Sequence, residues 1–237
     1  MIEAQHIHKV YGDITAVKDI SFRVKKGEIL GFLGANGAGK TTTMRIMTGS
    51  LQPSSGTALI AGYDILKEPL EVKRRIGYLP ESPPVYFDFT VEAFLKFVAK
   101  IREIPSNLQK QQIEWAIDKC GLKHVAKRMI GNLSKGYKQR VGLAQAIVHK
   151  PDVLILDEPT VGLDPTQIRE IRALIQTLSE EHTIILSTHI LPEVNMICDR
   201  AVFVHQGQIA LEGSIKELTQ TKSLEEVFVD VMLTQAS

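Results

Sequence analysis

The stretch "GANGAGKT", residues 34–41, decides the interpretation of this sequence, because it follows the spacing G-x-x-x-x-G-K-T. An apolar run that resembles a strand (27–34) precedes it, and a run that resembles a helix (40–49) follows it. Glycines let backbone N–H groups turn inward around phosphate oxygens. We therefore predict a phosphate loop in which Lys40 reaches the β and γ phosphates and the Thr41 hydroxyl ligates Mg²⁺. The alternative is a glycine-rich turn without a ligand.

Two further apolar runs end in residues that suit phosphate chemistry. The run "VLILDE" (153–158) predicts a strand that ends at Asp157, a candidate for holding Mg²⁺ through water, and Glu158, a candidate general base. His189 follows the run "HTIILST" (182–188), at the carboxyl end of a strand, where ligands of open α/β sheets bind. The alternatives are two solvated acids and a histidine with a structural role only.

The order of predicted elements indicates an α/β fold with a largely parallel sheet, because strands alternate with helices. A helical block occupies about 83–150, and the strands return after Pro151. We predict a core of about 1–82 and 151–213 and a C-terminal helix at about 223–234. The predicted helices within the block span 90–104, 107–121 and 135–149, and the region 200–213 is predicted to form a hairpin.

Composition restricts the functional class. The 237 residues carry a formal net charge of +1, which gives no general attraction to nucleic acid. The two cysteines, Cys120 and Cys198, lack metal-ligand spacing, so we expect a reduced, cytosolic chain. No secretory h-region and no apolar run of about 18 residues is visible, so the chain is not expected to cross a membrane by itself.

The stretch "LSKGYKQR" (133–140) raises a separate question. Ser134 is placed to begin a helix, and Lys135 follows at the positive end of the helix dipole, where a cation costs roughly 0.3–1 kcal/mol. Either this is an ordinary capped surface helix, or an anion binds at its start.

Taken together and in this order, "GANGAGKT", "LSKGYKQR", "VLILDEPTVGLDP" and "STH" resemble the ATP-binding subunit of an ABC (ATP-binding cassette) transporter over about residues 2–215. The resemblance implies a P-loop NTPase of ABC type, with an antiparallel β portion and an inserted helical subdomain. It also implies ATP and Mg²⁺ as ligands and a homo- or heterodimer that holds two ATP molecules at its interface. The implied ATP-binding residues are Tyr11, Gly34, Asn36, Gly37, Gly39, Lys40, Thr41 and Thr42.

The resemblance also assigns roles to residues outside the loop. Tyr11 is expected to stack on adenine, and Asp164 in "GLDP" is expected at the dimer interface; the alternatives are a tyrosine before a turn and a bare turn. The signature residues Ser134, Lys135 and Gly136 are expected to contact the ATP that a second subunit holds. That contact answers the question of Lys135, since an anion there removes the penalty.

The sequence departs from the family pattern at two places. Lys135 and Tyr137 replace glycine and glutamine of the usual signature. Glu81 replaces a glutamine that touches Mg²⁺, so an oxygen ligand is kept and a negative charge is added. In these departures and in "SLEEVF" (223–228), the sequence resembles one branch of the family. That branch comprises the ATPases of bacterial exporters that serve drug efflux, gliding motility and copper-enzyme maturation.

The resemblance implies a peripheral protein on the cytoplasmic face of the membrane, bound to an integral membrane subunit and to no nucleic acid. The segment 82–94 is the expected docking surface, unless its aromatic rings pack inside the helical block. A non-transport ABC ATPase acting on a soluble complex is the alternative function. The resemblance implies that the membrane subunit selects the cargo, so this sequence does not reveal it.

Overall fold

The computed structural model describes residues 1–234, in which ten strands form one sheet. The spatial order is β5-β4-β1-β2-β10-β9-β3-β8-β7-β6 once the strands are numbered along the chain. The strands are β1 (Ile2–Tyr11), β2 (Ile14–Val24), β3 (Ile29–Leu33), β4 (Ser55–Ile60), β5 (Tyr63–Asp64), β6 (Ile76–Leu79), β7 (Val153–Asp157), β8 (Thr183–Thr188), β9 (Arg200–His205) and β10 (Gln208–Ser214).

Nine α-helices are described in residues 1–234 and lie between or beside these strands. They are α1 (Lys40–Met47), α2 (Pro69–Arg75), α3 (Val91–Ile101), α4 (Ser106–Lys119), α5 (Lys135–Ile147), α6 (Pro165–Ser179), α7 (Leu191–Ile197), α8 (Ile215–Leu218) and α9 (Leu224–Thr234). None of the helices in this described part has the length and apolar character that a bilayer crossing requires.

The parallel part of the sheet comprises β6, β7, β8, β3 and β9, paired side by side. Every residue of β3, β7 and β8 is buried, as expected for strands covered by helices on both faces. The carboxyl ends of β3, β7 and β8 therefore lie together at one edge, and the loops that follow them are brought into contact. The predicted largely parallel sheet is confirmed.

The antiparallel part comprises β1, β2, β4 and β5, and it joins the rest through a single pairing of β10 with β2. The β9–β10 hairpin turns at Gln206 and Gly207, both with positive φ. The predicted antiparallel portion is thus present.

The two faces of the sheet have separate hydrophobic cores. On one face, α3, α4, α5 and α6 share a core with side chains of β7 and β8 such as Leu154 and Ile184. On the other face, α1 packs with the antiparallel strands against Val153, Ile155 and Ile185. A third, smaller cluster joins α7, β9 and α9, with the Phe203 and Phe228 rings 6.0 Å apart.

The structure differs from the sequence-based assignment at several element bounds. The helix predicted at 90–104 ends at Ile101, because Glu103 has a φ of 54° and Pro105 follows. Helices α2, α7 and α8 and the strands β1 and β2 were not assigned from the residue pattern. The three predicted helices of the block correspond to α3, α4 and α5.

Candidate functional site

The phosphate loop connects β3 to α1. Gly39 precedes α1 with a φ of +104°, and a Cβ atom there would lie 2.6 Å from the Ala16 carbonyl oxygen. Gly37 also has a positive φ, of 81°. Only glycine adopts such a backbone freely, so the loop can turn tightly. The start of α1 then lies at the cleft that the loop lines.

Lys40 is the first residue of α1 and is 6% exposed. Its Nζ donates to the Gly34 carbonyl at 2.8 Å and to the Ala35 carbonyl at 3.3 Å, and it lies 3.5 Å from Glu158 Oε1. The loop's own carbonyls and Glu158 thus hold the ammonium group at the centre of the site, where a phosphate oxygen is its strongest available partner.

Asp157 ends β7 and is 1% exposed. Its Oδ1 accepts a 2.7 Å hydrogen bond from Ser187 Oγ, while its Oδ2 is buried without a hydrogen-bond partner. Burial raises the pKa of the Asp157 carboxyl above its ordinary value, and the hydroxyls of Ser187 and Thr41 oppose that shift. An orphaned carboxylate oxygen beside a threonine hydroxyl fits a hard cation such as Mg²⁺.

The protein groups by themselves do not form a complete cation site. Within residues 1–234, no cluster of three or more His, Cys, Asp or Glu side chains could hold a metal ion. A Mg²⁺ ion at Asp157 and Thr41 therefore needs phosphate oxygens and water as its remaining ligands, which is usual for this ion.

Glu158 follows Asp157 with a φ of 50°, a left-handed backbone that is strained for a residue with a side chain. Its N–H donates to the Ser187 carbonyl at 2.8 Å, which anchors this turn to β8. Its carboxylate is almost buried, and both oxygens lie within 3.0 Å of His189 Nδ1. The histidine and Lys40 approach Glu158 from separate elements and so restrict its rotamers.

These residues line one cleft of about 450 Å³, a size in the range of small-ligand sites. The lining residues are Ala16, Asn36, Gly37, Gly39, Lys40, Thr41, Thr42, Glu81, Glu158, Val161 and His189. The structure thus brings together most residues that the sequence nominated for ATP, catalysis and metal, including Glu81. Gly34 and Asp157 lie next to this lining rather than in it.

Tyr11 is not among these lining residues. It ends β1, is 43% exposed, and has Lys9 Nζ 5.2 Å from its ring centroid. Ala16, which does line the cleft, belongs to β2 of the same hairpin. Stacking of Tyr11 on adenine remains a prediction.

The signature lies at the start of α5 and does not line the phosphate cleft, as far as residues 1–234 show. Ser134 is the N-cap, accepting from the Tyr137 N–H at 3.4 Å, and with Gly136 it lines a separate cleft of about 260 Å³. Lys135 is exposed, and its Nζ occupies the space that a Cβ atom on Gly162 would need. Its side chain therefore extends over the loop after Glu158 in its own chain.

Asp164 lines the same smaller cleft as Ser134 and Gly136. Its Oδ1 accepts from the N–H groups of Thr166 and Gln167 at 2.9 and 3.0 Å, so it caps α6. This role is complete within one chain, and the interface role of Asp164 remains a prediction.

Buried polar residues beside the candidate catalytic ones were not predicted from the sequence. Ser187 donates to Asp157, and Glu193 accepts the hydroxyls of Thr160 and Thr188. For Ser187 and Thr188, the available signal was a pair of adjacent hydroxyl side chains at the end of an apolar strand. No local pattern pointed to Glu193.

Comparison with known proteins places these motifs in context. The sequence pattern of the family described as ABC transporter matches residues 17–161. The chain is 42% identical over 214 residues to the bacitracin transport ATP-binding protein BcrA of Bacillus licheniformis, covering 90% of this chain and 69% of the relative. It is 37% identical over 216 residues to the ABC transporter ATP-binding protein NatA of Bacillus subtilis, covering 90% of this chain and 88% of the relative.

The fold is also similar to solved structures. The structure of cbiO1 from Clostridium perfringens, described as part of the ABC transporter complex cbiONQ, superposes with a TM-score of 0.85 at 30% identity. The match covers 99% of this chain and 98% of that chain.

Proposed function

This chain belongs to the ABC transporter family as an ATP-binding subunit that hydrolyses ATP, and from that premise we propose that it powers export through a separate membrane subunit. The observation that carries the proposal is the convergence of Lys40, Glu158 and His189 on one cleft, with Asp157 beside it. Export is supported by the exporter-like motif departures and by the similarity to a protein named for bacitracin transport.

The chemistry follows from the positions of these side chains. The loop N–H groups and the start of α1 bind the phosphates of ATP, and Lys40 binds the γ-phosphate. Glu158 takes a proton from water as the water oxygen bonds to the γ-phosphorus. The bond from that phosphorus to the β–γ bridging oxygen breaks, and ADP and phosphate leave. His189 holds the Glu158 carboxylate in the orientation that this step needs.

The residues that would hold Mg²⁺ are Thr41, Asp157 and Glu81. A Mg²⁺ ion held by these residues would neutralise charge that develops on the phosphate oxygens. Glu81 is exposed at the cleft, so its carboxylate is free to turn toward the phosphates or away from them. A carboxylate in place of glutamine adds a charged oxygen ligand.

Hydrolysis is proposed to require two ATP-binding subunits. Ser134, Lys135 and Gly136 do not reach the phosphate cleft of their own chain, which is consistent with contact to ATP held by a second subunit. A homodimer and a heterodimer both satisfy this geometry. ATP binding closes the pair, and release of the products reopens it.

The surface proposed to receive the membrane subunit is the aromatic groove, lined by Tyr86, Phe94, Phe97 and Ile101 and about 380 Å³ in volume. Of these, Tyr86 and Ile101 are 55% and 63% exposed. The Tyr86 ring packs edge-on against the rings of Phe89, Phe94 and Phe97 while remaining exposed. Rings that cluster on the surface are typical of protein interfaces. This docking would place the chain on the cytoplasmic face of the membrane.

The test is affinity purification of the tagged chain from gently solubilised membranes, followed by mass spectrometry. A multi-span membrane protein is expected to copurify, and the double change Tyr86→Ser and Ile101→Ser is expected to release it without loss of ATP binding. Leu66→Ser is the matched control, since Leu66 is 45% exposed but does not line the groove.

Copurification of ribosomal proteins or another soluble complex, with no membrane protein, would contradict the transport proposal. It would instead support a non-transport ABC ATPase with the same ATP chemistry.

A further inference from the structure

Glu193, in α7, is a buried carboxylate that the mechanism above does not use. It is 1% exposed, and its nearest cation is Arg172, whose Nη2 lies 3.6 Å from Glu193 Oε1. A buried charge costs free energy unless it is paired and hydrogen-bonded. The groups that bond to Glu193 therefore indicate why a carboxylate lies at this position.

Both carboxylate oxygens accept hydroxyl groups from loops of the phosphate cleft. Oε1 accepts the hydroxyl of Thr160, which lies two residues after Glu158. Oε2 accepts the hydroxyl of Thr188 at 3.1 Å, and Thr188 immediately precedes His189. Both threonines are buried. One side chain thus joins the loop that carries Glu158 to the loop that carries His189.

In the observed hydrogen-bond pattern both oxygens of Glu193 act as acceptors. Thr188 Oγ1 already accepts from the Ile190 N–H at 3.0 Å, so its single proton is directed to Glu193. A glutamine at this position presents an NH₂ group to one of the two hydroxyls. That hydroxyl must then rotate to accept instead of donating, which changes the geometry at Thr160 or Thr188.

We propose that Glu193 is a positioning residue that holds Glu158 and His189 at their mutual distance. It acts through Thr160 and Thr188 and does not itself line the phosphate cleft. Because Thr160 also begins the loop that reaches Gly162 and Asp164, movement of that loop is transmitted to His189 through the same carboxylate. The inference rests on the catalytic roles proposed for Glu158 and His189.

The experiment measures kcat, ATP affinity and thermal unfolding for the purified full chain and for Glu193→Gln. We expect kcat to fall by roughly 10- to 100-fold, since small misplacements of catalytic groups have effects of this size, while the Kd of ATP changes less than about twofold. Glu28→Gln is the matched control, because Glu28 is also paired with an arginine, at 2.7 Å from Arg200 Nε, but lies at the opposite end of β3. It is expected to lower stability and leave kcat unchanged.

A second measurement separates positioning from a general loss of structure. In a His189→Ala background, Glu193→Gln is expected to lower kcat by less than about threefold further, because groups that act as a unit are non-additive. Full multiplication of the two losses, or a kcat for Glu193→Gln that matches the Glu28 control, would overturn the inference. If His189→Ala and Glu158→Gln each leave kcat unchanged, the proposed catalytic roles fail instead.

Discussion

Two α-helices in residues 1–234 begin with a lysine, and the two lysines differ in burial and in their partners. Lys40 at the start of α1 is buried and bonded to loop carbonyls and Glu158, whereas Lys135 at the start of α5 is exposed and lies over Gly162. A cation at a helix start opposes the helix dipole in both cases. At α1, one chain supplies the loop, the acids and the histidine. At α5, the described residues form a capped helix end that does not line the phosphate cleft, which is consistent with the proposed contact to a second subunit.

The largest effect is expected from Glu158→Gln, which separates hydrolysis from binding on the α1 side. Loss of the general base should lower kcat by about 100-fold or more, with ATP affinity retained. Steady-state hydrolysis and equilibrium binding of a fluorescent ATP analogue measure the two quantities. Near-normal turnover would remove Glu158 from the base role.

Lys40→Ala tests the α1 side of the comparison directly. The lost charged contact should weaken ATP binding by roughly 10- to 100-fold, which corresponds to about 1.5–3 kcal/mol for a hydrogen bond to a charged group. The binding measurement is the same as for Glu158→Gln. An unchanged Kd would contradict the assignment of the phosphate loop.

Ser134→Arg tests the α5 side, where a large cationic side chain should block contact with the partner's ATP. We expect ATP-dependent dimerisation in the Glu158→Gln background to weaken by about tenfold or more, with ATP binding to the monomer unchanged. Sedimentation velocity with and without ATP measures the dimer. Ser214→Arg is the control, because Ser214 caps α8 in the same way; dimers that persist in the Ser134 variant would refute the signature assignment.

Lys135→Ala is expected to have a smaller effect and completes the lysine comparison. Because Lys135 does not line the phosphate cleft, the Kd of ATP for the monomer should change less than about twofold. Removal of a cation from the helix start should stabilise the fold by up to about 1 kcal/mol, measured by urea unfolding. A tenfold loss of monomer ATP affinity would mean that Lys135, like Lys40, binds the ATP held by its own chain.

His149 lies at neither of the two helix starts, and its pKa makes the stability of the fold depend on pH. Burial, with a contribution from Arg102, lowers the pKa of His149 to about 3, and its Nε2 lies 3.0 Å from the Ile76 carbonyl oxygen. Because the folded pKa lies below the ordinary value of 6.5, its contribution to stability is present above that pH and is lost as pH falls toward 3. His149→Gln should reduce the loss of unfolding free energy between pH 7 and 5 by about 2 kcal/mol. An identical pH dependence in the variant would contradict this account.

The phosphate cleft at the start of α1 was predictable from the sequence, because the geometry of its loop is determined within a few consecutive residues. Gly39, Lys40 and Thr41 form one turn, and Asp157 and His189 were found from strand ends that a parallel sheet brings together. The role of Glu193 was not predictable in this way, because its partners Thr160 and Thr188 are brought to it only by tertiary packing.

The element assignment failed where local patterns are broken or short. Strands β1 and β2 have register shifts near Ala4, Ile7 and Lys9, which interrupt the alternation of buried and exposed residues. Helix α2 has seven residues, and its proline at the first turn and basic last turn were signals that could have been used. The contact of Lys135 with Gly162 joins two segments far apart in sequence.

The left-handed backbone of Glu158 bears on why a glutamate occupies this position. A non-glycine residue in this conformation carries roughly 1–2 kcal/mol of strain, which a glycine at position 158 would release. Glu158→Gly would release this strain but would also remove the contacts of the carboxylate with Lys40 and His189. The backbone at position 158 favours glycine, so the glutamate there is explained by what its side chain does and not by the local conformation.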